Sequence, residues 1–184
     1  INVHASLLPK RRGGAPIHKA IIEGFDKTGI TIMYMDKKMD NGDIIASCET
    51  IISDEDNLES LQNRLSIMGA ELLIEVLPSI LEGINDRIKQ DESEVTFAYN
   101  IKREEEHIDF TKTSREIFNL IRGLSPSPSA NAILFGQEMK IYESILFDGK
   151  YNSNSCGEIV DITKKGIVVS TGDGVIILTK IKPF

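Results

Sequence analysis

The chain is predicted to be α/β in class: a layered α/β body followed by a small β-barrel of the oligonucleotide-binding type. Three observations carry this. Over residues 1–92, short apolar runs alternate with helical patterns, as strands and helices of a layered domain do. Over 112–184, one helical pattern is followed by five short strand-like runs with Gly- and Asp-containing turns between them. The stretch between, 93–111, is polar and charged and reads as a linker.

The elements follow in order. Residues 1–4 read as the end of a buried strand, and Ser6 to Gly14 as a loop broken by Pro9, Gly13 and Gly14, with Lys10-Arg11-Arg12 as a basic cluster. A helix is expected from Ala15, with Pro16 in its first turn and Ile17, Ala20 and Ile21 facing the sheet. It stops near Gly24 and leaves His18 at the surface. Ile30–Asp36 reads as a strand apolar on both faces, hence covered on both. Two short strands, Ile44–Ala46 and Ile51–Ile52, come next, and Lys37 to Gly42 makes a hairpin-like connection that holds Asp40. A helix begins after Asp56, with Glu59 completing a capping box. Its apolar stripe is Leu58, Leu61, Leu65, Met68, Leu72, Val76 and Ile80. Gly69 and Pro78 are expected to bend or divide it, and Gly83 to end it.

Residues 84–106 change character, and the charge run Lys102–Glu106 reads as a solvated face. Thr113 or Ser114 caps a helix carrying Ile117, Leu120 and Ile121 that ends at Gly123. Ser125-Pro126-Ser127-Pro128 is a rigid break. The strand candidates after it are Ala132–Phe135, Glu138–Phe147, Gly157–Ile162, Gly166–Ser170 and Val175–Ile181.

Composition narrows the function classes. Of 184 residues 41% are hydrophobic and 27% charged, the balance of an ordinary globular chain that can bury a sizeable core. No apolar run approaches the roughly 20 residues of a membrane helix. Cys48 and Cys156 lack metal or redox spacing and read as free thiols of a reducing compartment. His4, His18 and His107 have no ligand spacing, so no metal is signalled. The net charge of −7 is uneven: 12 basic against 21 acidic residues in 1–111, and 9 against 7 in 112–184. A mildly basic second part suits contact with nucleic acid.

The candidate chemistry lies at the start of the chain. Asn2 and His4 are two apart on a strand, so their side chains share a face. Asp40, between a strand and a turn, can close the group. An amide donor, a titratable ring and a carboxylate suit acyl transfer: the amide holds a developing oxyanion while the other two move protons. Taken singly, Asn2 suits a strand end, His4 a satisfied half-buried ring, and Asp40 before Asn-Gly a plain turn.

The longer runs add a resemblance. Asn2-Val3-His4-Ala5-Ser6-Leu7-Leu8-Pro9-Lys10-Arg11-Arg12-Gly13-Gly14-Ala15-Pro16-Ile17, then Thr28 to Asp36, then Met39-Asp40-Asn41-Gly42-Asp43 resemble the folate-dependent formyltransferases, most closely the branch acting on methionyl-tRNA. That resemblance implies catalytic roles for Asn2, His4 and Asp40. It implies a folate-binding loop at Ser6, Leu7, Leu8 and Pro9 together with Asp36, and contact of Lys10, Arg11 and Arg12 with tRNA. The co-substrate implied is 10-formyltetrahydrofolate, with no metal. The partner is methionyl-initiator tRNA, in a cytoplasmic setting, away from membranes and as a monomer at full length.

By the same resemblance, residues 1–92 are the C-terminal part of the family's Rossmann-like catalytic domain, 93–111 the linker, and 112–184 the tRNA-contacting barrel. The chain begins with Ile inside an apolar run and lacks the family's first βα units, so it reads as a fragment, expected to be inactive alone. Arg11 stands where the family usually has an aromatic residue, and Ser125 to Pro128 stand where it has Asn-Pro-Trp-Pro. Two other readings are a formyltransferase acting on a nucleotide-linked amine, and a non-catalytic RNA-binding fragment. The second domain speaks against glycinamide ribonucleotide as the acceptor.

Overall fold

The computed structural model describes every residue of the chain except Phe135, Lys150, Asn154 and Phe184. Its contacts divide it into two units: Ile1–Ala20 with Phe25–Asn100, and Ile21–Gly24 with Ile101–Phe184. Among the described residues no helix is long and apolar enough to cross a membrane.

The first unit is built on three antiparallel strands, β1 (Asn2–His4), β2 (Lys27–Met33) and β3 (Ile44–Ile51), in the order β1-β2-β3. β2 takes the centre because Thr28 to Met33 are all buried, as a strand covered on both faces must be. It begins three residues before the expected Ile30 and ends before Tyr34. The ladder to β3 runs from Lys27 opposite Ile51 to Met33 opposite Ile44, and the chain then leaves the sheet. The two short strands expected after Gly42 are one continuous β3.

A single helix, α2 (Leu58–Glu82), packs on β2 and β3 through Leu58, Leu61, Leu65, Gly69 and Leu72. Gly69 permits the close approach: a Cβ there would lie 3.0 Å from Val3 Cγ1 and 3.6 Å from Ile30 Cδ1. The helix runs unbroken through Gly69 and Pro78 to its cap at Gly83. Its N-cap is Asn57 rather than Asp56, in a capping box with Ser60 rather than Glu59. Asp56 is instead buried, accepting 2.8 Å bonds from Arg64 Nη1 and Nη2 and further bonds from Ser53 N–H and Ser60 Oγ. Burial pushes its carboxyl up, but those bonds outweigh burial and hold it at about 2. A second apolar row on α2, Ile67, Ile74 and Leu81, steps by seven along the helix and stands exposed.

The helix α1 (Pro16–Ile22) starts one residue later than expected, with Pro16 at its first position. His18 on it is half-buried rather than at the surface, and burial, aided by the Lys19 charge, lowers its pKa.

The second unit pairs one helix, α3 (Ser114–Leu124), with five antiparallel strands: β4 (Ala130–Leu134), β5 (Gln137–Phe147), β6 (Ile159–Thr163), β7 (Gly166–Ser170) and β8 (Val175–Pro183). Thr113, not Ser114, caps α3, in a reciprocal box with Glu116. Ile117, Ile121 and Leu124 of α3 pack on Ala130, Ala132, Ile141, Ile176 and Leu178 as one core. The strand order is β4-β5-β8-β7-β6, and no ladder joins β4 to β6 among the described residues. The five strands expected are present as the partly open form that oligonucleotide-binding folds adopt. Phe135, the expected end of the first of them, lies outside the described residues.

The stretch 93–111 is bonded along its length. Arg12 N–H donates to Thr96 O and Ala98 N–H to Arg12 O within the first unit, and Ile108 N–H donates to Asn131 O within the second. Lys102–Glu106 is not simply a solvated face: Glu106 is buried and paired with Arg103, which also reaches Glu138.

Candidate active site

β1 carries the site on one face. Val3 opposes Ile32, and both belong to the face that meets α2; Asn2 and His4, with Thr31 opposite His4, belong to the other. His4 is 6% exposed. Its Nε2–H donates to the Arg11 carbonyl at 3.1 Å, and its Nδ1 lies 3.7 Å from Asp40 Oδ2. Both ring nitrogens therefore face oxygen acceptors. The 3.7 Å separation is too long for a hydrogen bond. Asn2 sits half-buried two residues before, with no side-chain hydrogen bond among the described residues. The structure thus brings together the three residues singled out for acyl transfer as far as backbone placement goes, and His4 with Asp40 at side-chain level.

Two residues beside His4 hold left-handed backbone that side chains rarely adopt: Arg11 at φ 61° and Asp40 at φ 49°. Hydrogen bonds from far along the chain hold them there. Arg11 N–H donates to Thr96 Oγ1 at 2.9 Å, Asp40 Oδ2 accepts the Gly13 N–H at 2.8 Å, and Asp40 O accepts Gln90 Nε2 at 2.8 Å. Gly13, at φ +122°, is needed as glycine, because a Cβ would stand 2.6 Å from Ala98 O.

Arg12 is the hub of this bracing. It is 4% exposed, and its guanidinium donates to Gln90 Oε1 through both Nε and Nη2, to Asn41 Oδ1 and to Glu92 Oε1, all between 2.8 and 3.0 Å. Gln90 passes the restraint on, its amide donating to Asp40 O and Gly42 O. Arg11 is likewise buried, its guanidinium 3.5 Å above the Phe25 ring centroid. At the position where an aromatic ring was the expected occupant, a flat cation does the stacking. The expectation that Lys10, Arg11 and Arg12 together face tRNA is corrected here. Arg12 is buried and hydrogen-bonded and Arg11 is buried against the Phe25 ring, whereas Lys10 is open, 54% exposed and 3.4 Å from Glu94.

The expected folate residues fall into two places. Ser6 is wholly buried, its Oγ donating to Lys10 O at 2.7 Å, and Leu8 is buried too, so these two shape the loop rather than line a surface. Leu7 and Pro9 stay partly open. Asp36 instead borders a cavity of about 510 Å³ with Tyr34, Asn41, Asp43, Arg87 and Gln90, and none of Ser6 to Pro9 lines it. The Lys37 N–H and the Asn41 amide hold the Asp36 carboxyl below its ordinary value. Arg87 lies 4.2 Å over the Tyr34 ring and donates to Asp43 at 3.1 Å.

Sequence reasoning missed Thr31, Gln90 and Thr96. Thr31 Oγ1 donates to Ser6 O at 2.7 Å and accepts Leu8 N–H at 3.1 Å, fastening the loop over the sheet beside His4. In the sequence Thr31 is one more β-branched strand residue, and Gln90 and Thr96 are polar residues in a polar stretch. No local signal marks any of them. No group of three or more metal-ligating side chains gathers among the described residues.

Comparison with known proteins finds two family matches. The family described as "Formyl transferase" matches residues 1–77, and "Formyl transferase, C-terminal domain" matches residues 100–183. A methionyl-tRNA formyltransferase of Macrococcus caseolyticus is 50% identical over 183 residues, covering 100% of this chain and 58% of that protein. The chain thus spans a little over half the length of such relatives. Among solved structures, an N-formyltransferase from Helicobacter canadensis, in complex with folinic acid and dTDP-3-aminofucose, superposes with a TM-score of 0.78 at 24% identity. It covers 100% of this chain and 65% of that one. WlaRD, a sugar 3N-formyl transferase crystallised in the presence of dTDP and 5-N-formyl-THF, superposes with a TM-score of 0.77 at 26% identity, covering 97% of this chain and 64% of that one.

Proposed function

This chain belongs to the formyl transferase family, and on that footing we propose that it carries part of an enzyme moving a formyl group from 10-formyltetrahydrofolate to the amino group of methionyl-initiator tRNA. The observation that carries the reading is the His4–Asp40 pair, 3.7 Å apart on the face that also bears Asn2, in a chain 50% identical to a methionyl-tRNA formyltransferase.

The chemistry assigned to each residue follows from its setting. The attacking amine nitrogen forms a bond to the formyl carbon, and the carbonyl oxygen takes up negative charge. Asn2, whose side chain has no hydrogen bond among the described residues, donates its amide N–H to that oxygen. His4 Nδ1 and Asp40 Oδ2 lie side by side where the amine approaches, and the proton it loses passes to this pair, directly or through water. The carbon–nitrogen bond to folate then breaks, and that nitrogen takes a proton as it leaves. On the folate side, Asp36 and Asp43 offer carboxylates to ring N–H donors, and Arg87 a cation to the anionic tail. That donor set and the cavity they border fit a folate. Lys10 is the basic residue left to approach tRNA phosphate.

A second reading has a specific observation behind it: WlaRD, 26% identical to this chain, is described as a sugar 3N-formyl transferase, and the Helicobacter canadensis N-formyltransferase is seen in complex with dTDP-3-aminofucose. The test sets two acceptors side by side. The full-length protein containing this sequence, given 10-formyltetrahydrofolate, is expected to formylate methionyl-tRNA and leave a dTDP-amino sugar untouched. Transfer to the amino sugar alone overturns the tRNA reading, and transfer to neither overturns the assignment of activity.

A further inference from the structure

Residues 95–99 run extended along the loop that follows the site. Arg12 bridges Phe97 in parallel pairing, Arg12 N–H donates to Thr96 O at 2.9 Å, Ala98 N–H donates to Arg12 O at 2.8 Å, and Ala15 N–H donates to Ala98 O at 3.0 Å. Side chains of an extended run alternate. Ala98 is completely buried, whereas Phe97 and Tyr99 on the other face are 48% and 64% exposed. Their rings stack on each other, centroids 5.5 Å apart and planes 8° from parallel.

A stacked pair of exposed rings offers a broad, flat π surface that is already ordered before anything binds. Of the acidic residues that precede it, Glu92 is paired with Arg12 at 3.0 Å and Glu94 with Lys10 at 3.4 Å. With those charges paired, the exposed feature is the neutral ring face, which suits another flat ring laid on it. Main-chain bonds tie this surface to Arg12, whose neighbour Arg11 gives its carbonyl to His4 Nε2. A short bonded path thus joins the rings to the loop that holds His4.

Resting on the tRNA reading above, we propose that Phe97 and Tyr99 form a stacking platform for an unpaired base in the single-stranded 3′ end of the aminoacyl-RNA substrate. Base-on-aromatic stacking tolerates any base and supplies affinity without sequence readout.

The test uses the full-length protein and an RNA hairpin whose unpaired 3′ tail carries 2-aminopurine, with a blunt hairpin as the comparison. Binding of the tailed hairpin should quench the 2-aminopurine fluorescence. Phe97→Leu/Tyr99→Leu, which keeps apolar bulk but removes the rings, should abolish the quench and weaken binding of the tailed hairpin about tenfold or more. Tyr99→Trp should retain the quench. The blunt hairpin should bind wild type and the double variant alike, and the melting temperature should not move, since both rings are exposed. An unchanged quench and Kd in the double variant overturns the platform while leaving the tRNA reading intact. Failure of wild type to bind either hairpin, with no formyl transfer to methionyl-tRNA, overturns both.

Discussion

At the scale of single residues, the side chains around His4 divide by whether they are already satisfied. The Asn2 side chain has no hydrogen-bond partner among the described residues, so its truncation should leave the fold undisturbed. Asn2→Ala in the full-length protein is expected to lower kcat ~10²–10³-fold at unchanged melting temperature, the size seen when one oxyanion donor is lost. Turnover above half of wild type would exclude the role. Arg12 is the opposite case. Arg12→Ala strands the acceptors of Gln90 and Asn41 and should cost about 2–3 kcal/mol of stability while leaving the salt dependence of RNA binding as it was. Lys10→Ala should spare stability and reduce the slope of log K against log salt by about 1. Chemical denaturation beside a salt titration reads both. The sequence made the site legible but not this division. Asn2, His4 and Asp40 stand in a motif, whereas the burial of Arg12 depends on Gln90 and Glu92, some eighty residues on. A run of three basic residues looks the same on paper whether it meets phosphate or a buried amide.

Elements were legible wherever hydrophobic period alone decided them. The 3.6-residue stripe of α2 and the doubly apolar β2 both came through, because burial of those faces is what builds the first sheet. Ends were less readable. The helix start moved one residue, from Asp56 to Asn57, because Asp56 is engaged by Arg64 two turns into the helix, a pairing that capping patterns do not encode. That pairing has a pH signature. The Asp56 carboxyl titrates near 2 in the folded chain against an ordinary 3.8. Its contribution of about 2 kcal/mol is therefore complete above pH 4 and is lost as pH falls through 2, since the unfolded chain takes up the proton first. Asp56→Asn should be less stable than wild type at pH 6 by an amount that shrinks steadily below pH 4. Urea midpoints across that range give the answer, and a constant difference would refute the assignment.

For the molecule as a whole, the division into two units follows the two cores rather than the composition of the linker. Residues 93–111 look like a tether because they are polar, yet their backbone groups are taken up on both sides of the boundary at Asn100. The outer row of α2 has a practical consequence of its own. Ile67, Ile74 and Leu81 form an apolar band on a helix that is folded and capped. A probe such as ANS, which brightens in apolar surroundings, is expected to fluoresce with this chain in its native state. In a dye-reported thermal melt the trace should start high and change little at the transition, although circular dichroism shows a cooperative loss of helix. Ile74→Glu with Leu81→Lys should bring the starting signal down without altering the helical spectrum. If the native signal is already low, the band is not accessible to the dye. A bright baseline is commonly taken as the mark of a molten globule; for this chain it would be the optical signature of a well-ordered helix.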